Sequence, residues 1–124
     1  MKKINEYATG AADDRPWGRW VVLAAGDGFA IKEITVEPGE VLSLQSHEFR
    51  AEHWIILAGE GEVTVDDTVA VHGPGDTAFI PAGALHRVAS TGAAPLRLIE
   101  VQTGDYLSEG DIRRFEDRYG RITP

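Results

Sequence analysis

The chain contains no cysteine. No disulfide can staple the fold, and no thiolate is available as nucleophile or metal ligand. That absence fits a reducing compartment, and a cytoplasmic location is the expectation. Long apolar runs are also missing: no stretch approaches the ~20 residues of a membrane span. The opening MKKINEYATG holds two lysines with no apolar run behind them and does not read as a signal peptide. Basic residues are scarce, 12 Lys and Arg against 20 Asp and Glu, for a formal net charge of −8. Nucleic acid, which requires a basic stripe, is not an expected partner, and neither is a membrane. A small anionic ligand remains compatible, because a few local cations dominate the field inside a cleft. No lysine follows Lys32, so any later cationic site must be built from arginine, which suits bidentate recognition of phosphate. Internal repeats, low-complexity linkers and a Gly-rich nucleotide loop are absent.

What is present describes one globular domain. The 124 residues are 43% hydrophobic and 26% charged, enough for a real core. Short apolar or alternating runs occupy 20–24, 29–36, 41–47, 53–57, 62–65, 68–72, 76–80, 86–89 and 96–102. Gly26-Asp27-Gly28, Pro38-Gly39, Asp66-Asp67 and Gly73-Pro74-Gly75 punctuate them. This pattern predicts an all-β sandwich or small barrel. Residues 1–14 are polar and read as a loose arm or as a wrap around the barrel. At the other end, Ser108-Glu109-Gly110-Asp111 has capping-box spacing and predicts a short C-terminal helix over 111–119, stopped by Gly120.

The strand-like stretch that begins at Val41 carries polar residues where leucine would pack. Gln45 and His47 are two apart and share a face. Glu52 follows after a turn and starts the next strand, with Trp54 and Ile56 on its side. His86 stands just after the turn Pro81-Ala82-Gly83. Two neutral imidazoles, one carboxylate and one amide oxygen would suit one divalent metal, Zn²⁺ first, with Mn²⁺, Co²⁺, Ni²⁺ and Fe²⁺ also compatible. The same four residues would also fit a buried polar network.

Their spacing carries a resemblance. Gly39, Gln45, His47, Glu52 and Gly59 resemble the first cupin motif, with Gln45 where a histidine usually stands. Gly75, Pro81, Gly83 and His86 resemble the second, with Ser90 in place of its usual Asn. Together with Arg15-Pro16-Trp17-Gly18, Arg50-Ala51-Glu52-His53-Trp54, Leu98-Ile99-Glu100-Val101-Gln102, Tyr106-Leu107 and Asp111-Ile112, they look like the cupin domain of type II phosphomannose isomerases. In many bacteria that domain follows a mannose-1-phosphate guanylyltransferase, which 124 residues cannot hold. The resemblance implies a small double-stranded β-helix (jelly-roll) barrel and a metal-dependent interconversion of mannose 6-phosphate and fructose 6-phosphate through an enediolate. It places Gln45, His47, Glu52 and His86 on the metal and a sugar phosphate in the pocket. Ser46, Glu48 and Phe49 depart from the expected His- or aromatic-rich stretch.

Roles for other residues follow as expectations. Arg50, Glu100 and Lys32 are the catalytic candidates, and Lys32, Arg50, Tyr106 and Arg114 the substrate contacts. Arg50, in the turn between ligands, is the favoured phosphate or transition-state cation. Lys32 lies on an apolar face, where a lysine usually snorkels to the rim. Glu100 shares a face with Leu96, Leu98 and Gln102, but the opposite face is nearly as apolar and leaves its direction open. His53 and Arg87 should point away from the site, and Trp17, Trp20 and Trp54 should pack in the core or an interface. Pairing of two copies through an exposed sheet is expected. An Fe²⁺ oxygenase and a non-catalytic metal- or sugar-binding module are the alternatives.

Overall fold

The computed structural model describes residues 3–121. It contains thirteen strands and, among the described residues, no helix. Ile4–Asn5 (β1), Ala12–Arg15 (β2), Gly18–Gly26 (β3), Phe29–Val36 (β4), Leu44–Ser46 (β5), Arg50–Ala58 (β6) and Gly61–Val65 (β7) form the first half. Thr68–His72 (β8), Thr77–Ile80 (β9), His86–Ser90 (β10), Leu96–Gly104 (β11), Tyr106–Leu107 (β12) and Arg113–Glu116 (β13) complete it. Two sheets wrap a common core: β2-β3-β4-β11-β6-β9 and β13-β5-β10-β7-β8. Among the described residues, no helix is long and apolar enough to cross a membrane.

Register explains where the site lies. On β6, the inward residues are Arg50, Glu52, Trp54 and Ile56, so the buried face changes from polar to apolar along the strand. On β11 the order reverses, from Leu96 and Leu98 to Glu100 and Gln102. Antiparallel pairing sets Ile56 and Ile34 opposite Leu98, Lys32 and Trp54 opposite Glu100, and Glu52 opposite Gln102. Apolar residues therefore stack at one end of the barrel and polar ones at the other. Trp20, Val22, Val36, Val63, Ile80 and Val88 join the apolar core. Gly59 closes β6 at φ +81°, and a Cβ there would lie 2.5 Å from the Pro95 carbonyl oxygen, so glycine lets this turn pass against the start of β11.

One expectation is corrected. The C-terminal helix over 111–119 does not form: Arg113–Glu116 is β13, antiparallel to β5. β5 has only three residues and would otherwise expose an edge, which β13 covers. The supposed capping carboxylate of Asp111 instead accepts the backbone N–H groups of Glu48 and Phe49 at 2.9 and 3.0 Å. Of the two readings open for the N-terminal segment, the described residues follow the wrap. β1 pairs in parallel with β12, and β2 pairs with β3, which draws Tyr7 against the polar end of the barrel.

Candidate metal centre

His47, Glu52 and His86 are buried, and one ligand atom from each lies within 4.8 Å of the others. Their orientation is fixed from behind. His47 Nδ1 lies 2.6 Å from the Asp111 carbonyl oxygen and His86 Nδ1 3.0 Å from that of Ala84. A carbonyl only accepts, so both Nδ1 atoms carry a proton, and the neutral tautomer this selects has its lone pair on Nε2. Trp54 Nε1–H donates to Glu52 Oε1 at 3.0 Å, leaving Oε2 turned toward His47 Nε2 at 3.2 Å. This pattern of N–H groups held by carbonyls behind the donor atoms is what metal-ligating histidines use. Burial, then the Arg50 guanidinium and His86, push the His47 imidazole down to about 3, which keeps it neutral. The donor set thus fits a divalent cation. Gln45 lines the same pocket, directly opposite His86 in the β5–β10 pair.

The surroundings separate two carboxylates. Burial opposes charge on Glu52, but Arg50, donating from Nε to Oε2 at 2.9 Å, outweighs it and lowers the pKa. Glu100 moves the other way: burial raises it, and the negative charge of Glu52 raises it further. Gln102 Nε2–H donates to Glu100 Oε2 at 2.9 Å. Across the β4–β11 pair, Lys32 is only 3% exposed. It does not snorkel to the rim. Its ammonium sits 4.3 Å from the Trp20 ring centroid and 4.4 Å from that of Tyr7, and donates to Glu109 at 2.9 Å. Two aromatic faces and a carboxylate replace the lost water. Burial would raise Glu109, yet Lys32 and the Tyr7 hydroxyl hold it at about 2. Burial raises the Tyr7 phenol, so it stays protonated and donates to Glu109.

Most residues singled out from the sequence converge here. Gln45, His47, His86, Arg50, Glu100, Lys32 and Arg114 line one pocket, with Glu52 behind them. Arg50 is not a free cation: Nε bonds Glu52, Nη1 the Tyr7 hydroxyl and Ser108 carbonyl, and Nη2 approaches His47 Nε2 at 3.2 Å. Tyr106 is not part of this pocket. It packs edge-on against Phe49 and lines a separate outer groove with Ser46 and Glu48. His53 faces outward onto Phe79, and Arg87 pairs with Glu116. Trp20 is both core and pocket wall. The sequence reasoning missed Tyr7 and Glu109. Neither belongs to a recognisable motif, and only the wrap of the N-terminal segment brings them together.

Two antiparallel sheets with His, Glu and His donors converging inside one end define a cupin. The comparisons place it more narrowly: residues 2–117 match the family described as mannose-6-phosphate isomerase C-terminal, and the chain belongs to that family. It is 49% identical over 108 residues to a mannose-1-phosphate guanylyltransferase of Escherichia coli, covering 87% of this chain and 23% of the relative. It is likewise 49% identical over 110 residues to the alginate biosynthesis protein AlgA of Pseudomonas fluorescens, covering 89% and 23%. The chain thus spans about a quarter of the length of these relatives. An RmlC-like cupin from Shewanella frigidimarina shares the fold, with a TM-score of 0.67 at 18% identity over 84% of this chain and 95% of that one.

Proposed function

We propose that the protein is a metal-dependent aldose–ketose isomerase that interconverts mannose 6-phosphate and fructose 6-phosphate. The observation that carries this reading is the set of two imidazoles, each with Nδ1 held by a carbonyl, and a carboxylate, brought together at a pocket that also holds a carboxyl of raised pKa. Family membership supports the choice of sugar. His47 Nε2, Glu52 and His86 Nε2 would hold the ion, with the Gln45 amide oxygen as fourth donor, and Zn²⁺ suits that set. When bound, the ion supplies Lewis acidity against the negative charge that develops on the sugar oxygens.

The protein's own residues supply the rest. The reaction removes a proton from C2 and returns one to C1, with a matching transfer between the two oxygens. Glu100 faces the pocket, and its raised pKa lets it both take and release a proton near neutrality. Glu52, held ionised by Arg50, is committed to the ion and leaves this task to Glu100. Lys32 keeps a fixed positive charge opposite Glu100 and lowers the cost of its ionised form. Trp20, Ile34 and Leu42 shield the pocket floor from water.

The test is incubation of mannose 6-phosphate in D₂O with the wild-type protein and with His86→Ala, followed by NMR. Deuterium entering C1 of fructose 6-phosphate and C2 of mannose 6-phosphate is expected with wild type and not with His86→Ala. The three-donor set is also the 2-His-1-carboxylate arrangement of Fe²⁺ oxygenases. Oxygen uptake without hydrogen exchange would favour that reading and end the isomerase assignment.

A further inference from the structure

The pocket has a charge opposite to that of the protein. Five of the 12 Lys and Arg line it (Arg15, Lys32, Arg50, Arg114 and Arg121), against two of the 20 Asp and Glu, Glu100 and Glu109. Such a cleft focuses a positive field in a chain of net charge −8. Two of the five cations are spent on internal partners. Lys32 is enclosed by Trp20, Tyr7 and Glu109, and every nitrogen of Arg50 is engaged by groups of the site itself.

The other three stand half-buried at the mouth. Arg121 is gripped by Asp117 at 2.8 and 3.0 Å. Arg15 reaches Asp13 and Glu109 only at 3.3 and 3.4 Å. Arg114 differs from both. Its Nε is buried with no hydrogen-bond partner, and it forms no salt bridge among the described residues. Burial, then the like charges of Arg121 and Arg15, outweigh the attraction of Asp117 and Glu109 and lower its pKa. An unpaired buried donor on a cation is costly unless something completes it.

Register says what that partner would be attached to. Arg114 lies directly opposite Gln45, which lies directly opposite His86. Residues opposite one another share a sheet face, and two strand spacings put Arg114 about 10 Å from His86. Arg114, Gln45 and His86 line the same pocket, whose interior holds about 60 Å³.

We infer that Arg114, flanked by Arg15 and Arg121, is the subsite for the phosphate of a phosphomonoester whose other end extends toward His86. The planar fork of arginine matches the phosphate oxygens. The inference rests on the reading of the substrate as a sugar phosphate, and it moves the phosphate away from Arg50.

Calorimetric titration of the full chain with inorganic phosphate tests it, using Arg114→Gln, Arg114→Lys and, as control, Arg87→Gln on the outer face. Arg114→Gln should weaken phosphate binding about 10-fold or more, Arg114→Lys should recover part of the loss, and Arg87→Gln should match wild type. In turnover, Arg114→Gln should raise KM for mannose 6-phosphate while leaving the metal content unchanged. Wild-type phosphate affinity in a folded Arg114→Gln protein overturns the subsite, whether or not the protein isomerises. Phosphate binding that depends on Arg114 in a protein without isomerase activity supports the subsite and overturns the isomerase reading instead. Should Arg114→Gln not fold, Arg15→Gln reads the same cluster from another strand, and unchanged affinity there contradicts the inference equally.

Discussion

Glu100 occupies the position where the two demands on this pocket meet. A proton shuttle needs a carboxyl that is not permanently ionised, and burial together with Glu52 provides one. Glu100→Gln keeps the volume and can still accept the Gln102 N–H bond, but it cannot carry a proton. Its turnover should fall about 100-fold or more, with metal content and thermal stability close to wild type; turnover within a few-fold of wild type would assign the proton transfer elsewhere. Residues at this scale differed in how legible they were. Gln45, His47, Glu52 and His86 could be read from spacing, because turn glycines and strand alternation fix where each points. Glu100 could not be oriented, because Ile99 and Val101 on the outer face of β11 are as apolar as the inner Leu96 and Leu98. Arg50, expected as the phosphate or transition-state cation, lines the pocket but is engaged by Glu52, Tyr7 and Ser108; the last two lie more than forty residues away, beyond the reach of local spacing.

Among the elements, β13 and the segment before it hold the ligand strand in place. Asp111 contributes its carboxylate to the N–H groups of Glu48 and Phe49 and its carbonyl to His47 Nδ1. Asp111→Ala removes the carboxylate clamp on the turn between β5 and β6. A loss of about 1–2 kcal/mol in urea unfolding is expected, with metal affinity weakened about 10-fold through the loosened His47. Unchanged metal affinity in a competition titration would show that β5 orients His47 without this clamp. The same segment explains the one misread element. Local chemistry, with Ser108 and Asp111 at capping spacing, favours a helix start, whereas the exposed edge of β5 offers a ladder that local sequence does not reveal. Nine strands were legible from alternation and turn residues. The two-residue β1 and β12 are too short to show any period.

For the whole molecule, the buried neutral imidazole predicts acid sensitivity. His47 titrates at its ordinary 6.5 when unfolded and near 3 in the folded chain. Between those values the unfolded state binds the extra proton, so the contribution of His47 to stability falls as pH drops through that window, by up to about 1.4 kcal/mol per unit for one proton. Glu109, where Lys32 and Tyr7 overcome burial, and Asp117, hydrogen-bonded by Arg121, are both depressed to about 2. Their contribution is present above the ordinary carboxylate range and is lost toward pH 2, with the same sign. Glu100, raised to about 7 by burial and Glu52, has the opposite sign: between its ordinary 4.5 and 7 the folded chain holds the extra proton, which offsets His47. The Tm of chelated protein should therefore stay nearly flat from pH 7 to about 4.5 and fall steeply below it, where His47, Glu109 and Asp117 act together. In Glu100→Gln, which removes the offset, the decline should begin near pH 6.5; a Tm constant from pH 6.5 to 4.5 in that variant would mean that His47 is not buried neutral.

The most direct test of the account is turnover of mannose 6-phosphate measured against added Zn²⁺ or Mn²⁺ in chelated, metal-analysed protein. The account predicts negligible turnover without metal, a linear rise, and a plateau at one equivalent per chain. Full turnover in metal-free protein, or none at any metal loading, would contradict it.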